Sequence, residues 1–371
     1  MLAHARELHR TLAYGPATIA LSSRDTAAAD WLLEVLQPWF APTPSAADWH
    51  VRLSSSRDAY ADLSARRPLD AAPRACFALD QEVVSFPAWP TSDGLTVSDA
   101  ERSCFLRITP FEVDLTGDPR TRRWRFTSMW VCQEIAATRL RRTQLDVHAA
   151  AVEAAGRAIL IVGPKGAGKT TLSLHLLRSG RCRMMANDRT FVGRAGTSVV
   201  VRGMPTAVKV RPPTLAGFPE LRRGLPPVER PYLHTLDELA SMVTGDGVPE
   251  STEFALSPAQ VAHQLRVEPL GTAPLGAIVF PHIRTDVAGW DAERLAPKEV
   301  SARILANLYG GSSARFGSTI FEDLDGGRSL PSRRLSDELA EAAPGYRLAM
   351  GQHAYAEPSF SERLLETLLP S

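Results

Sequence analysis

Residues Gly163–Thr170 read GPKGAGKT, a glycine and four residues followed by Gly-Lys-Thr. They come directly after an apolar run, AILIVG, and directly before a helical pattern over Lys169–Arg178 that Gly180 ends. Glycines at these points let successive backbone N–H groups turn into one concavity, and a helix N-terminus adds its positive end. The pattern is therefore suited to holding phosphate oxygens. In such a cradle Gly163, Pro164, Lys165, Gly166, Ala167 and Gly168 form the loop and Thr171 follows it. Lys169 reaches toward β- and γ-phosphates, and Thr170 offers its hydroxyl to a bridging Mg²⁺. ATP and Mg²⁺ are the ligands this chemistry expects.

Residues around the cradle bear on what happens to the phosphate. Asn187, Asp188 and Arg189 follow the next strand-like run, CRMMAN, and His148 lies on the strand before the one that feeds the loop. In an open α/β layout the strand ends near a phosphate loop gather at one edge, where ligands bind. Asp188 is placed there either as a Mg²⁺ ligand or as the base that accepts a proton from an attacking hydroxyl; an Asp after a strand also makes turns. A histidine on an apolar strand is more often a satisfied structural group, so His148 has two readings as well. Lysine occurs only at 165, 169, 209 and 298, and arginine is otherwise the cation. Lys209, between Val208 and Val210, projects from one face of a short strand, toward a phosphate or acidic group or toward solvent.

These groups need elements to position them. The chain has 371 residues, enough for two domains. Residues 1–144 read as a mixed α+β domain. A helix is expected over Ala27–Phe40, strands at Trp49–Leu53, Cys76–Leu79, Val83–Phe86, Cys104–Ile108 and Phe111–Leu115, and a helix over Trp124–Arg142. Residues 145–371 alternate strands and helices. DVHAAAVEA and AILIVG are joined by a turn at 155–157, Gly276–Phe280 is a buried strand and Pro297–Leu308 a helix. Arg211–Pro231, with six prolines, is expected as a long irregular loop whose arginines 222, 223 and 230 could clamp an anion. Arg315, Glu322 and Asp323 have no spacing that assigns them a role.

A formal charge of +1, with 42 basic and 41 acidic side chains, implies no general attraction to nucleic acid or an anionic membrane. No apolar stretch approaches the roughly 18 residues that span a bilayer, and the charged N-terminus lacks the core of a signal peptide, so a cytoplasmic location is expected. The four cysteines are scattered without a CxxC pair and read as buried thiols.

The order and spacing of Val147–Val192 resemble the HPr kinase/phosphorylase family and its relatives, whose catalytic domain is similar to that of PEP carboxykinase. In that family a His-bearing strand, a hairpin, the phosphate loop, a helix and a strand leading into Asp-Asp-Arg follow in this order. Weaker similarity continues through MPTAVKVRP, LGAIVF and LAPKEVSARILANL. The resemblance implies an α/β fold, a P-loop-containing, PEP-carboxykinase-like kinase domain; the N-terminal mixed α+β domain before it resembles no named family, with docking of a substrate, a protein partner or a second subunit as its open roles. It implies that Gly163, Gly166, Gly168, Lys169 and Thr170 bind ATP and metal, that His148 faces the phosphate site, and that Asp188 deprotonates an acceptor serine. Asn187 stands where the family has its first Asp, removing one negative charge beside the metal. Asn187, Arg189 and Lys209 remain as substrate or phosphate contacts.

The glycine-rich signature that follows the Asp pair in the bifunctional members is missing here. The sub-group implied is therefore a kinase acting on a hydroxyl of a peptide, a protein or a small biosynthetic metabolite. A homo-oligomer stays among the expected partners; the bifunctional members form hexamers, but no residue here carries that over. The competing reading is an ATP-binding regulator or scaffold in which Asn187 marks weakened catalysis. A motor-like NTPase fits less well, because no strand of four apolar residues ends in a Walker-B Asp.

Overall fold

The computed structural model describes residues 7–79, 82–222, 254–284, 286–309, 321, 333–351, 353–357 and 359–370. The chain falls into two compact units, Met1–Arg142 with Ser313–Ser329, and Thr143–Ser312 with Leu330–Ser371. A single cut after residue 144 thus misses the later segment that returns to the first unit. Its described residue, Phe321, is fully buried and packs edge-on against Trp49 with centroids 5.5 Å apart.

The first unit is a nine-stranded sheet with helices. Its strands are β1 (Leu8–Tyr14), β2 (Ala17–Ser23), β3 (Ala41–Pro42), β4 (Trp49–Ser55), β5 (Pro73–Leu79), β6 (Glu82–Thr91), β7 (Gly94–Asp99), β8 (Cys104–Thr109) and β9 (Glu112–Gly117), in the order β3-β1-β2-β4-β9-β8-β7-β6-β5. Strict alternation of buried residues along β2 and β9 leaves one covered face, as antiparallel-type sheets do. Helices α1 (Thr26–Leu36) and α3 (Trp124–Leu140) pack there, with the Asp25 carboxylate accepting from the Ala28 N–H to cap α1. The helix expected to run to Phe40 stops at Leu36; Trp39 and Phe40 are buried beyond it. A further helix, α2 (Arg57–Ala65), buries no residue fully, which is why no apolar stripe announces it.

The second unit is built on β10 (Leu145–Ala154), β11 (Arg157–Val162), β12 (Arg183–Ala186), β13 (Arg189–Ala195), β14 (Ser198–Gly203), the short pair β15 (Val208–Val210) and β16 (Phe254–Leu256), and β17 (Thr272–Ile283), β18 (Trp290–Leu295) and β19 (Gly345–Met350). Its helices are α4 (Lys169–Arg178), α5 (Pro212–Gly217), α6 (Pro258–Leu265), α7 (Pro297–Leu305), α8 (Arg333–Ala342) and α9 (Phe360–Leu368). The long strands β10 and β17 bend through the layer. Their first halves pair with β13 and β14, their second halves with β12, β11 and β19. β11, β17 and β19 run parallel, with β10 antiparallel to β11.

Both faces of this sheet are covered. Ala150, Val152, Ile159 and Ile161 meet Leu172 and Leu176 of α4, while Val147, Leu160 and Val162 lie in a second core with Val300, Ile304 and Leu339 of α7 and α8. That double burial makes Ala149–Val152 of β10 and Ala158–Val162 of β11 apolar runs in sequence. Arg211–Pro231 is not irregular throughout: it opens with α5 and a 3-10 turn at Pro219–Arg222, and residues 223–231, including Arg223 and Arg230, lie outside the described residues. Arg315, Glu322 and Asp323 lie outside them too. Cys104, Cys132 and Cys182 are buried free thiols, and burial pushes Cys132 and Cys182 up to about 12. No helix among the described residues is long and apolar enough to cross a membrane.

Candidate phosphate-binding site

Strand direction decides what meets the loop after β11. The C-terminal ends of β11, β17 and β19 lie at one edge because the three are parallel, and β10 enters at that edge because it is antiparallel. β12 pairs antiparallel with β10 and so ends there too, delivering Asn187 and Asp188. The loop itself needs its glycines. Gly166 and Gly168 have φ of 86° and 94°, a left-handed conformation that strains any residue with a Cβ. Gly168 is the N-cap of α4 and makes no side-chain cap, so the first N–H groups of the helix stay available to an anion.

Lys169 is 7% exposed, and its ammonium donates to the carbonyl oxygens of Gly163 at 2.8 Å and Pro164 at 3.1 Å. Burial pushes it down to about 8, with the Asp188 charge opposing. The cation is therefore folded back on the loop and weakly held, a group poised to turn outward to phosphate. Thr170 and Thr171 are half-buried, whereas Pro164, Lys165 and Gly166 are exposed at the loop's crest.

Asp188 is pinned twice to β10. Its backbone oxygen accepts from the Ala149 N–H at 3.1 Å, and its Oδ1 lies 3.0 Å from His148 Nε2. Among the described residues the His148 contact is the hydrogen bond this carboxylate makes, and its side chain is 24% exposed. Burial alone would raise this carboxyl. The hydrogen bond from His148, then the charges of His148, Lys169 and Lys209, outweigh it and hold Asp188 below the ordinary carboxylate range. With Asp188 ionised, His148 Nε2 carries the proton and donates. His148 is itself fixed by its backbone N–H, which donates to Asn307 O at 2.8 Å. Lys209 thus belongs to the same electrostatic neighbourhood as Asp188.

Asn187 is 5% exposed; its Nδ2 donates to Ala207 O at 3.5 Å, and its Oδ1 is buried with no hydrogen-bond partner. The Asn187 amide oxygen, the Asp188 carboxylate and the Thr170 hydroxyl belong to residues at one edge of the sheet and are a hard-oxygen set. Such a set suits a Mg²⁺ that keeps waters and takes phosphate oxygens as its other ligands. Among the described residues no cluster of three His, Cys, Asp or Glu could hold a metal by itself.

Arg189 sits differently from the sequence expectation of a substrate contact. It is 3% exposed, and its guanidinium grips the Asp146 carboxylate with Nη2–Oδ2 at 2.8 Å and Nε–Oδ1 at 3.1 Å while lying 4.6 Å over the Tyr309 ring. Asp146 is 4% exposed. The pair clamps β13 to β10 directly below the His148–Asp188 contact, so Arg189 positions the site from inside the protein. Sequence reasoning passes over Asp146, because one carboxylate on an apolar strand has no local signal; its buried partner 43 residues later is the only clue.

No protein-family model matches the chain. No curated protein matches it either. Among solved structures it is similar to the HPr(Ser) kinase/phosphatase from Coxiella burnetii, at 10% identity and a TM-score of 0.26, over 60% of this chain and 87% of that one. The likeness is distant, between mixed α/β proteins.

Proposed function

We propose that the second unit is an ATP-dependent phosphotransferase that moves the γ-phosphoryl group to a hydroxyl, of the serine type, on a peptide, a protein or a small biosynthetic metabolite. The observation that carries this reading is a partly open carboxylate, Asp188, held by His148 at 3.0 Å within the electrostatic reach of the phosphate-loop lysine. A loop that only binds nucleotide has no need of an aligned, partly exposed carboxylate.

In this reading the loop N–H groups and the start of α4 hold the phosphates, and Lys169 exchanges its two carbonyl partners for phosphate oxygens. The acceptor hydroxyl donates to Asp188 Oδ2. Its oxygen forms a bond to the γ-phosphorus as the bond from that phosphorus to the β,γ-bridging oxygen breaks; the hydroxyl proton passes to Asp188 and ADP departs. His148 keeps Asp188 ionised and aimed, and Lys209 adds positive charge where negative charge collects. Mg²⁺, held by Thr170 with the Asn187 amide oxygen, would neutralise phosphate charge when bound.

A second reading, an ATP-binding regulator or scaffold, is favoured by one observation: Asn187 replaces a carboxylate, leaving Asp188 as the single acid of the Asn187–Asp188–Arg189 element. Incubation of the protein with γ-³²P-labelled ATP, Mg²⁺ and an extract of the source cell separates the two. Labelled acceptor that vanishes with Lys169→Ala supports the transferase, and ATP binding without any labelled acceptor supports the scaffold.

A further inference from the structure

Ile283 is one of three large hydrophobic side chains that stand exposed among the described residues, at 46% relative exposure. The other two, Leu69 and Phe111, belong to the first unit. Ile283 ends β17 at the edge where the phosphate loop lies. A Cβ built on Gly168 would meet Ile283 Cδ1 at 3.3 Å and Met350 Cε at 3.6 Å, so the isoleucine touches the loop where it turns into α4. Its register partner Met350 is fully buried beneath, which leaves Ile283 as the apolar cap of that strand end.

The topology gives the site a direction. His148 and Asp188 lie on the β10 and β12 side of the loop strand β11, whereas Ile283 lies on the opposite side, on β17. A triphosphate bound with its γ-end at Asp188 must run its α-end away from β10, across the start of α4. From β10 to β17 is two inter-strand steps, about 10 Å, and β19 is one step further, at about 14 Å. That span matches a triphosphate with its ribose, and it ends on Ile283. A polyphosphate tail would gain nothing from an exposed isoleucine; a flat nucleobase would.

We infer that Ile283 is the platform on which the base of the bound nucleoside triphosphate rests, the base being directed over the ends of β17 and β19 and away from Asp188. This assignment rests on the nucleotide-binding reading of the loop. It adds which part of the ligand goes where. Contact with an aliphatic face recognises a planar base through its area, so the platform favours purines over smaller pyrimidines.

The test compares Mg²⁺-ATP with inorganic Mg²⁺-tripolyphosphate, which has the phosphates without base or ribose, by titration calorimetry on the full chain. Ile283→Ser is the variant; the residue is half-exposed, so the fold survives its loss, and thermal unfolding checks this. ATP affinity is expected to fall about fivefold, the order for returning one partly covered aliphatic side chain to water, with tripolyphosphate affinity unchanged. Ile283→Phe, with a larger apolar face, is expected to keep or improve ATP affinity. An equal loss for both ligands, or no loss for either, overturns the assignment. Failure of the unaltered protein to bind either ATP or tripolyphosphate is a different result: it overturns the phosphate-loop reading itself, and the platform with it.

Discussion

If the site binds ATP, Lys169 is expected to take up a proton with it. Its ammonium is buried and donates to two neutral carbonyls, at 2.8 and 3.1 Å, and burial pushes it down to about 8 from 10.5. At about 1.4 kcal/mol per unit, that difference is roughly 3 kcal/mol of strain on the charged form. The sign follows from proton counting. Between about pH 8 and 10.5 the unfolded chain binds a proton that the fold does not, so this group makes folding less favourable at low pH. The penalty is relieved as pH rises through that window.

Phosphate reverses the balance by giving the ammonium an anionic partner. If the bound lysine is charged throughout, ATP affinity falls about tenfold between pH 7 and pH 9, and binding at pH 8 absorbs about half a proton. The phosphate's own second ionisation, near about pH 6, is complete over this range and does not contribute. Calorimetry at pH 8 in two buffers of different ionisation enthalpy measures the uptake, and a pH series measures the affinity. Lys169→Arg, charged at every pH used, is expected to flatten the series. A flat affinity profile in the unaltered protein, with identical heats in both buffers, would refute the picture of a lysine uncharged by burial and recharged by phosphate.

Other perturbations read other parts of the site. His148→Gln removes the imidazole that holds Asp188 low, so the Asp188 carboxyl rises; because a depressed carboxylate loses its charge as pH falls, the acid limb of the kcat profile moves to higher pH, and an unmoved limb contradicts the His148 role. Asp146→Ala leaves the Arg189 guanidinium buried without its carboxylate and should lower stability by about 3–5 kcal/mol in a denaturant titration; a loss under about 1 kcal/mol would mean that the pair does not brace the sheet. Asn187→Asp supplies a second carboxylate where a bare amide oxygen now points. It is expected to tighten Mn²⁺ binding in the absence of nucleotide about tenfold, read by electron paramagnetic resonance, and no change would remove Asn187 from the metal set.

The parts of this protein that were legible in sequence are those whose physics is local. The loop needs glycines at positive φ, a strand before it and a helix after it, all within twenty residues, and the helix appears at Lys169–Arg178 as its periodicity predicts. The hairpin of β10 and β11, doubly buried, reads as two apolar runs. Asp188 and His148 were candidates by position, yet their contact depends on β12 pairing with β10 across 40 residues, which spacing alone does not contain. Arg189 looked like an anion contact because the partner that neutralises it, Asp146, is distant in sequence. The edge strand β18 carries little sequence signal, since it alternates weakly with little buried face to mark it. Phe321 joining the first unit, and Ile283 standing exposed beside the loop, are consequences of tertiary placement that leave no pattern in the chain.

The most direct test of the central claim is single-turnover transfer from γ-³²P-labelled ATP to the acceptor fraction, comparing the unaltered protein with Asp188→Asn, with ATP affinity measured on the same samples. The account predicts that the variant binds ATP within a few-fold of the original while transfer slows by about 10²–10⁴, the usual contribution of a positioned base. Transfer at an unchanged rate in Asp188→Asn, with binding intact, would contradict it.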